Sequence, residues 1–152
     1  MKNFVRTFDF IHQNDDYSCG RVCAYMVTAA FGVKRNRRWL RYLLKTDFNK
    51  GTFQKDLVTA LRKFDFKCAV RSFTNIMPSR IGIKKLLNEY LHNGYLAIAC
   101  VDSGDHWIVI RALRGDRVYV ADPDWTAPKY HSLTKFYERV KNGSIVFVKR
   151  KQ

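Results

Sequence analysis

Apolar and polar positions along this chain divide it into two halves with different periods. In the first, an apolar run from Cys19 to Phe31 follows the polar, cap-forming Asp15, Asp16 and Ser18 and stops at Gly32, predicting a helix. Trp39, Leu40, Leu43 and Leu44 predict a second helix over about Arg37 to Lys45. Phe53, Leu57, Ala60, Leu61 and Phe64 mark one face of a third, directly after Gly51-Thr52. Lys67 to Phe73 reads as a strand, and Ile83, Leu86, Leu87, Tyr90 and Leu91 mark a fourth helix ending near Asn93-Gly94.

The second half carries shorter apolar runs. Tyr95 to Val101, His106 to Leu113, Arg117 to Ala121 and Ser144 to Lys149 are predicted strands, separated by Ser103-Gly104, Arg114-Gly115-Asp116 and Asn142-Gly143. A short helix, about Leu133 to Val140, interrupts them. Phe4 to Ile11 is an extended lead-in. Helices first and mostly antiparallel strands later predict an α+β fold. No repeat, low-complexity tract or linker divides residues 1–152, which are expected to form a single domain.

A chain of 152 residues buries about 68–70% of its unfolded surface, so it needs no staple in order to fold. The longest apolar stretch, Tyr95 to Val101, is far short of the roughly 20 residues of a membrane span. Asp9, His12, Asp15 and Asp16 break up any secretory signal. The expectation is a cytoplasmic protein, or one that leaves the cell without such a signal. Cysteines at 19, 23, 68 and 100 are too few and too irregular for a disulfide framework. Cys68 and Cys100 lie in apolar strand runs and are expected to be buried thiols. Cys23 could face the core, resolve an oxidised Cys19 or share a metal with it, and the core is the favoured of the three. With no second Cys pair and four histidines off ligand spacing, neither metal nor cofactor is expected.

Charge changes the picture. Lys and Arg number 28 against 13 Asp and Glu, a net +15. They are densest in Lys34 to Lys45 and recur at Arg111, Arg114 and Arg117 and at Lys149 to Lys151. Such a field attracts an acidic peptide or protein, an anionic surface or nucleic acid. Yet the chain has no zinc-finger spacing and no aromatic RNA-binding motif.

The order Gln13, Cys19, His106, Asp122 suggests chemistry. A thiol enzyme needs an oxyanion donor, a nucleophile, a base and a group to orient that base. Cys19, six positions after Gln13, opens a helix, where unpaired N–H groups and the helix dipole favour negative charge. His106 opens a strand, and Asp122 ends the next, so antiparallel pairing brings them within reach. Gln13 offers a side-chain amide to a carbonyl oxygen as it gains charge. Gly20, Trp107 and Trp125, beside these groups in sequence, are the expected substrate contacts.

The chain resembles the papain-like cysteine peptidases of the bacteriocin-processing type, which cut leader peptides after a double glycine. The resemblance runs through Gln13 to Gly20, the Gly51-Thr52-Phe53 helix with Leu57 and Leu61, and Asp105 to Ile110. It continues through Val118 to Pro123 and Leu133 to Phe136. It implies a papain-like fold, a helical lobe packed on an antiparallel sheet with the site in the cleft between them. It also implies Cys19 as nucleophile, His106 as base, Asp122 as orienter and Gln13 as oxyanion donor. Hydrolysis of a peptide or isopeptide bond through a Cys19 thioester is the expected reaction. The alternatives are acyl transfer through the same thioester, or a basic binding module for nucleic acid or protein.

Overall fold

A computed structural model of the chain describes residues 8–13, 15, 18–33, 44 and 51–151. Of the helix expected over Arg37 to Lys45, and of the basic cluster around it, only Leu44 is described, helical and buried; the rest lies outside the described residues. The elements run α1 (Cys19–Ala30), α2 (Gln54–Lys63), β1 (Phe66–Ser72), α3 (Arg80–His92), β2 (Leu96–Val101), β3 (His106–Arg114), β4 (Arg117–Ala121), β5 (Lys129–Ser132), α4 (Leu133–Val140) and β6 (Ser144–Arg150). A 3-10 turn, Asp102–Gly104, joins β2 to β3.

Local chemistry sets the helix ends. At the end of α1, Gly32 adopts φ +82° while Gly32 N donates to Ala29 O and Val33 N donates to Thr28 O, each at 2.9 Å. That pairing closes a helix through a left-handed residue, which glycine adopts without steric cost. Ser79 and Ser132 cap α3 and α4, their hydroxyls accepting from Gly82 N (3.0 Å) and Lys135 N (3.1 Å).

The strands form one antiparallel sheet in the order β1-β6-β2-β3-β4-β5. The sequence pattern did not reveal β5, because its four residues, Lys-Tyr-His-Ser, bury only His131 and pair only with β4 at the sheet edge. Both faces are covered. Val22, Cys23, Met26 and Val27 of α1 and Leu57 and Leu61 of α2 pack with Ile98, Val109 and Val146. On the far face, Ile83 and Leu87 of α3 and Phe136 and Val140 of α4 pack with Ala97, Ile108, Val120 and Phe147. Successive strand residues therefore enter different cores, which explains why Leu96 to Val101 is continuously apolar rather than alternating. The sheet thus lies between two helical layers, a layering the sequence did not specify.

Cys68 and Cys100 are only half-buried, less covered than expected. For Cys68 the reason is its place on β1, a sheet edge. Among the described residues, no helix is long and apolar enough to cross a membrane.

Candidate active site

The register Val109↔Ala121 places the residue after β4 beside the start of β3. His106 and Asp122 meet there. His106 Nε2 lies 2.6 Å from Asp122 Oδ1, and Asp122 is 2% exposed. Oδ1 also accepts from Asp124 N at 3.0 Å, and Oδ2 accepts from Arg139 Nη2 at 3.1 Å. The carboxylate is thus buried, but it is held by a full set of charged and neutral donors, which such burial requires. Asp122 O accepts from Trp125 N at 2.9 Å, closing the turn around the carboxylate.

Cys19, at the N-terminus of α1, is near enough to His106 for its charge to act on the ring. With Nε2 on Asp122, Nδ1 is the ring nitrogen the carboxylate does not engage. Burial acts against a charged His106, but the hydrogen bonds and negative charges of Asp122 and Cys19 outweigh it and raise its pKa from 6.5 to about 10. Burial also opposes ionisation of Asp122, and the bond to His106 outweighs it, holding the carboxyl below its ordinary range. An imidazolium–carboxylate pair is therefore the resting form of this corner at neutral pH.

Several contacts fix the start of α1. Asp15 Oδ1 accepts from Ser18 N at 2.7 Å, and Ser18, at the N-cap, makes no side-chain capping bond. A Cβ on Gly20 would stand 2.6 Å from Thr52 Cβ and 3.1 Å from Trp107 Cδ1, closer than packed atoms come. Trp107 Nε1 donates to Thr52 O at 3.0 Å and the ring is 5% exposed. Gly20, Thr52 and Trp107 thus seat the helix on the sheet, and the structure places Gly20 and Trp107 in packing rather than on an open surface.

Gln13 is 5% exposed. Its backbone N donates to Pro123 O at 2.8 Å, and His12 Nδ1 lies 2.9 Å from Trp125 O, so this segment runs along the Asp122–Trp125 turn. Gln13 Nε2 donates to Asp15 O, and Oε1 has no partner among the described residues. Trp125 is half-buried, edge-on to His131 with ring centroids 4.8 Å apart.

Two other carboxylates stand near. Asp124 Oδ2 is 3.6 Å from His106 Nε2 but 57% exposed. Asp105 is exposed and its backbone closes the preceding turn. One ligand atom each of His106, Asp122 and Asp124 falls within 4.8 Å of the others, close enough for a metal ion. The 2.6 Å contact between two of them is instead that of groups sharing a proton.

Burial, then the negative charges of Cys19, Asp122 and Asp124, pushes Cys23 well up, so it stays a neutral core thiol. Cys68 and Cys100 are raised to about 11, chiefly by burial. All four cysteines are free.

Arg139 was not legible as a site residue. Its one signal is spacing: it follows Phe136 by three and precedes Val140, on the buried side of α4, where a cation needs a partner.

The peptidase C39 family model matches residues 7–152. The chain is 25% identical over 146 residues to the mesentericin Y105 transport/processing ATP-binding protein MesD of Leuconostoc mesenteroides, covering 95% of this chain and 19% of that protein. It therefore spans about a fifth of that relative's length. Among solved structures, it resembles the peptidase domain of Streptococcus ComA, a bifunctional ABC transporter, with TM-score 0.76 at 21% identity, covering 95% of this chain and 100% of that one. It also resembles a double glycine motif protease from an AMS/PCAT transporter, solved with its leader peptide (TM-score 0.75, 17% identity, 94% and 92% covered). A C39-like peptidase from Bacillus anthracis aligns at TM-score 0.72 and 14% identity, with 97% and 98% covered. At these identities the likeness is one of fold.

Proposed function

The chain belongs to the peptidase C39 family and is by family a cysteine peptidase, and we propose that Cys19 is its nucleophile, His106 its acid and base, Asp122 the orienter and Gln13 an oxyanion donor. The observation that carries this reading is one ring: His106 bonds buried Asp122 at 2.6 Å and lies within electrostatic reach of Cys19.

The Cys19 thiolate attacks the scissile carbonyl carbon, whose oxygen takes up the negative charge. The second N–H of the Gln13 amide and the Cys19 backbone N–H stabilise that oxygen. The intermediate collapses as the C–N bond breaks, and the His106 imidazolium gives its proton to the leaving amine. Neutral His106 then takes a proton from water, whose oxygen attacks the thioester. The acid product leaves and the thiolate–imidazolium pair is restored. Asp122 holds the ring in the required orientation without itself being protonated.

The substrate class is a peptide segment. Gly-Gly peptides come first among candidates because the AMS/PCAT structural relative is a double glycine motif protease. The net charge of +15 favours acidic flanking residues. We assign Trp125, half-exposed on the turn that carries Asp122, to substrate contact and Gly20 and Trp107 to holding the site's shape. Four free thiols suit a reducing, cytoplasmic setting.

The test is incubation of wild type and Cys19→Ala with Gly-Gly and acidic peptides, with and without added amine, read by mass spectrometry. Cleavage with uptake of water, absent from Cys19→Ala, is expected. An amine conjugate instead would identify acyl transfer, and equal cleavage by both proteins would remove Cys19 from the chemistry. Gln13→Ala should lower kcat about 100- to 1,000-fold with little change in KM, as expected for a lost oxyanion donor.

A further inference from the structure

We propose that Arg139 is a positioning residue of this site, a clamp that holds Asp122 and the turn preceding His106 in one fixed relation. The inference rests on the assignment of Cys19, His106 and Asp122 above. Arg139 Nε and Nη2 grip the Asp102 carboxylate at 3.0 and 2.8 Å, and the same Nη2 reaches Asp122 Oδ2 at 3.1 Å. Asp102 opens the 3-10 turn that delivers the chain to His106. Asp102 and Ser103 there adopt φ +55° and +62°, a left-handed conformation that side-chain-bearing residues hold only when other contacts impose it. One guanidinium thus ties the turn leading into His106 to the carboxylate that accepts its hydrogen bond.

The clamp is itself well anchored. Arg139 lies in the last turn of α4, whose Leu133, Phe136 and Val140 are buried and whose Tyr137 hydroxyl donates to Pro78 O at 2.8 Å. Its side chain is 17% exposed, and it packs over Trp125, 5.8 Å from the ring centroid. The planar fork matches carboxylate geometry in a way an ammonium does not.

Asp122 can turn about its side-chain bonds. Oδ1 is taken by His106 and Asp124 N, and the bond from Arg139 to Oδ2 sets the plane, so that Oδ1 stays aimed at Nε2. The charge of Arg139 has the opposite effect, since a cation beside Asp122 weakens its pull on the imidazolium proton. Loss of orientation lowers the proton affinity of His106; loss of the cation raises it. A clamp requires the first to win. The groups facing this pair are Cys19, Asp124 and Asp102 around His106, and His131, with Lys135 and Lys129 beyond it, around Arg139.

The test is an NMR titration of the His106 ring, assigned by its absence from His106→Ala, in wild type, Arg139→Gln, Arg139→Lys and Asp102→Asn. The rate of Cys19 alkylation by iodoacetamide at pH 6 is measured alongside. Arg139→Gln should lower the His106 midpoint by about one pH unit or more and slow labelling about tenfold. Arg139→Lys should recover little, because it restores charge without the fork, and Asp102→Asn should shift the midpoint part of the way. Should Arg139→Gln lose its fold by circular dichroism, Asp102→Asn, at a 44% exposed carboxylate, decides the question. A His106 midpoint that holds or rises in the folded variants overturns the clamp. A wild-type His106 that titrates near 6.5, with Cys19 unreactive, overturns instead the assignment of the site.

Discussion

His106 and His131 are both buried, at 9% and 7% exposure, yet their pKa values are displaced in opposite directions. Burial lowers His131, and the charges of Lys135 and Arg139 lower it further, so the ring stays neutral. Burial also acts against a charged His106, but Asp122 at 2.6 Å and the neighbouring Cys19 raise it to about 10. Arg139 stands between them, 3.1 Å from Asp122 Oδ2 and 3.5 Å from His131 Nε2. Burial alone therefore does not determine a histidine's charge; the ions fixed beside the ring either reinforce its effect, as at His131, or overcome it, as at His106.

The strongest way to break the contrast is Asp122→Asn, which leaves His106 a buried histidine without its hydrogen-bonded carboxylate. Its midpoint should fall from about 10 to 6.5 or below, and kcat should drop by about 10⁴-fold, both measured on the same folded protein. An unchanged rate would move the orienting role to Asp124.

Stability should record the same difference with opposite slopes. A raised folded pKa means that His106 stabilises the fold fully below pH 6.5 and loses that contribution as pH rises through about 10. The stability lost on Asp122→Asn should therefore shrink between pH 6.5 and 10 in urea unfolding. A gap constant over that range would mean His106 is not charged in the folded state. His131, with its pKa lowered, acts the other way: the unfolded chain binds the proton better, so stability falls as pH drops below 6.5. His131→Gln should flatten that acid slope while leaving kcat within about twofold, and a steep slope in the variant would assign it to other groups.

The smallest effect is expected from Asp124→Asn. At 3.6 Å from Nε2 and 57% exposed, its charge is screened by water, and kcat should change by no more than about threefold. A loss as large as that of Asp122→Asn would make the two carboxylates a shared acceptor.

Most of the fold was legible because period and punctuation are local properties. Gly32 ends α1 through a left-handed residue, and Asn93-Gly94, Gly115 and Asn142-Gly143 separate the later elements. The positions of Cys19, His106 and Asp122 were legible as a helix start, a strand start and a strand end. β5 was not, since four residues with one buried side chain carry too little pattern. The packing of Gly20 was not legible either, since nothing local shows that Thr52 Cβ would lie 2.6 Å from an added Cβ.

The sequence by itself determined which residues could carry charge and where along the chain the reactive types fall, because residue type and hydrophobic period need no partner to be read. Only the tertiary structure decided which carboxylate, of Asp105, Asp122 and Asp124, takes the bond at 2.6 Å, and that one arginine from α4 reaches both Asp102 and Asp122. Those outcomes depend on strand register and on the docking of α4 against the sheet. Electrostatic interaction falls with distance through space, and separation along the chain does not predict that distance.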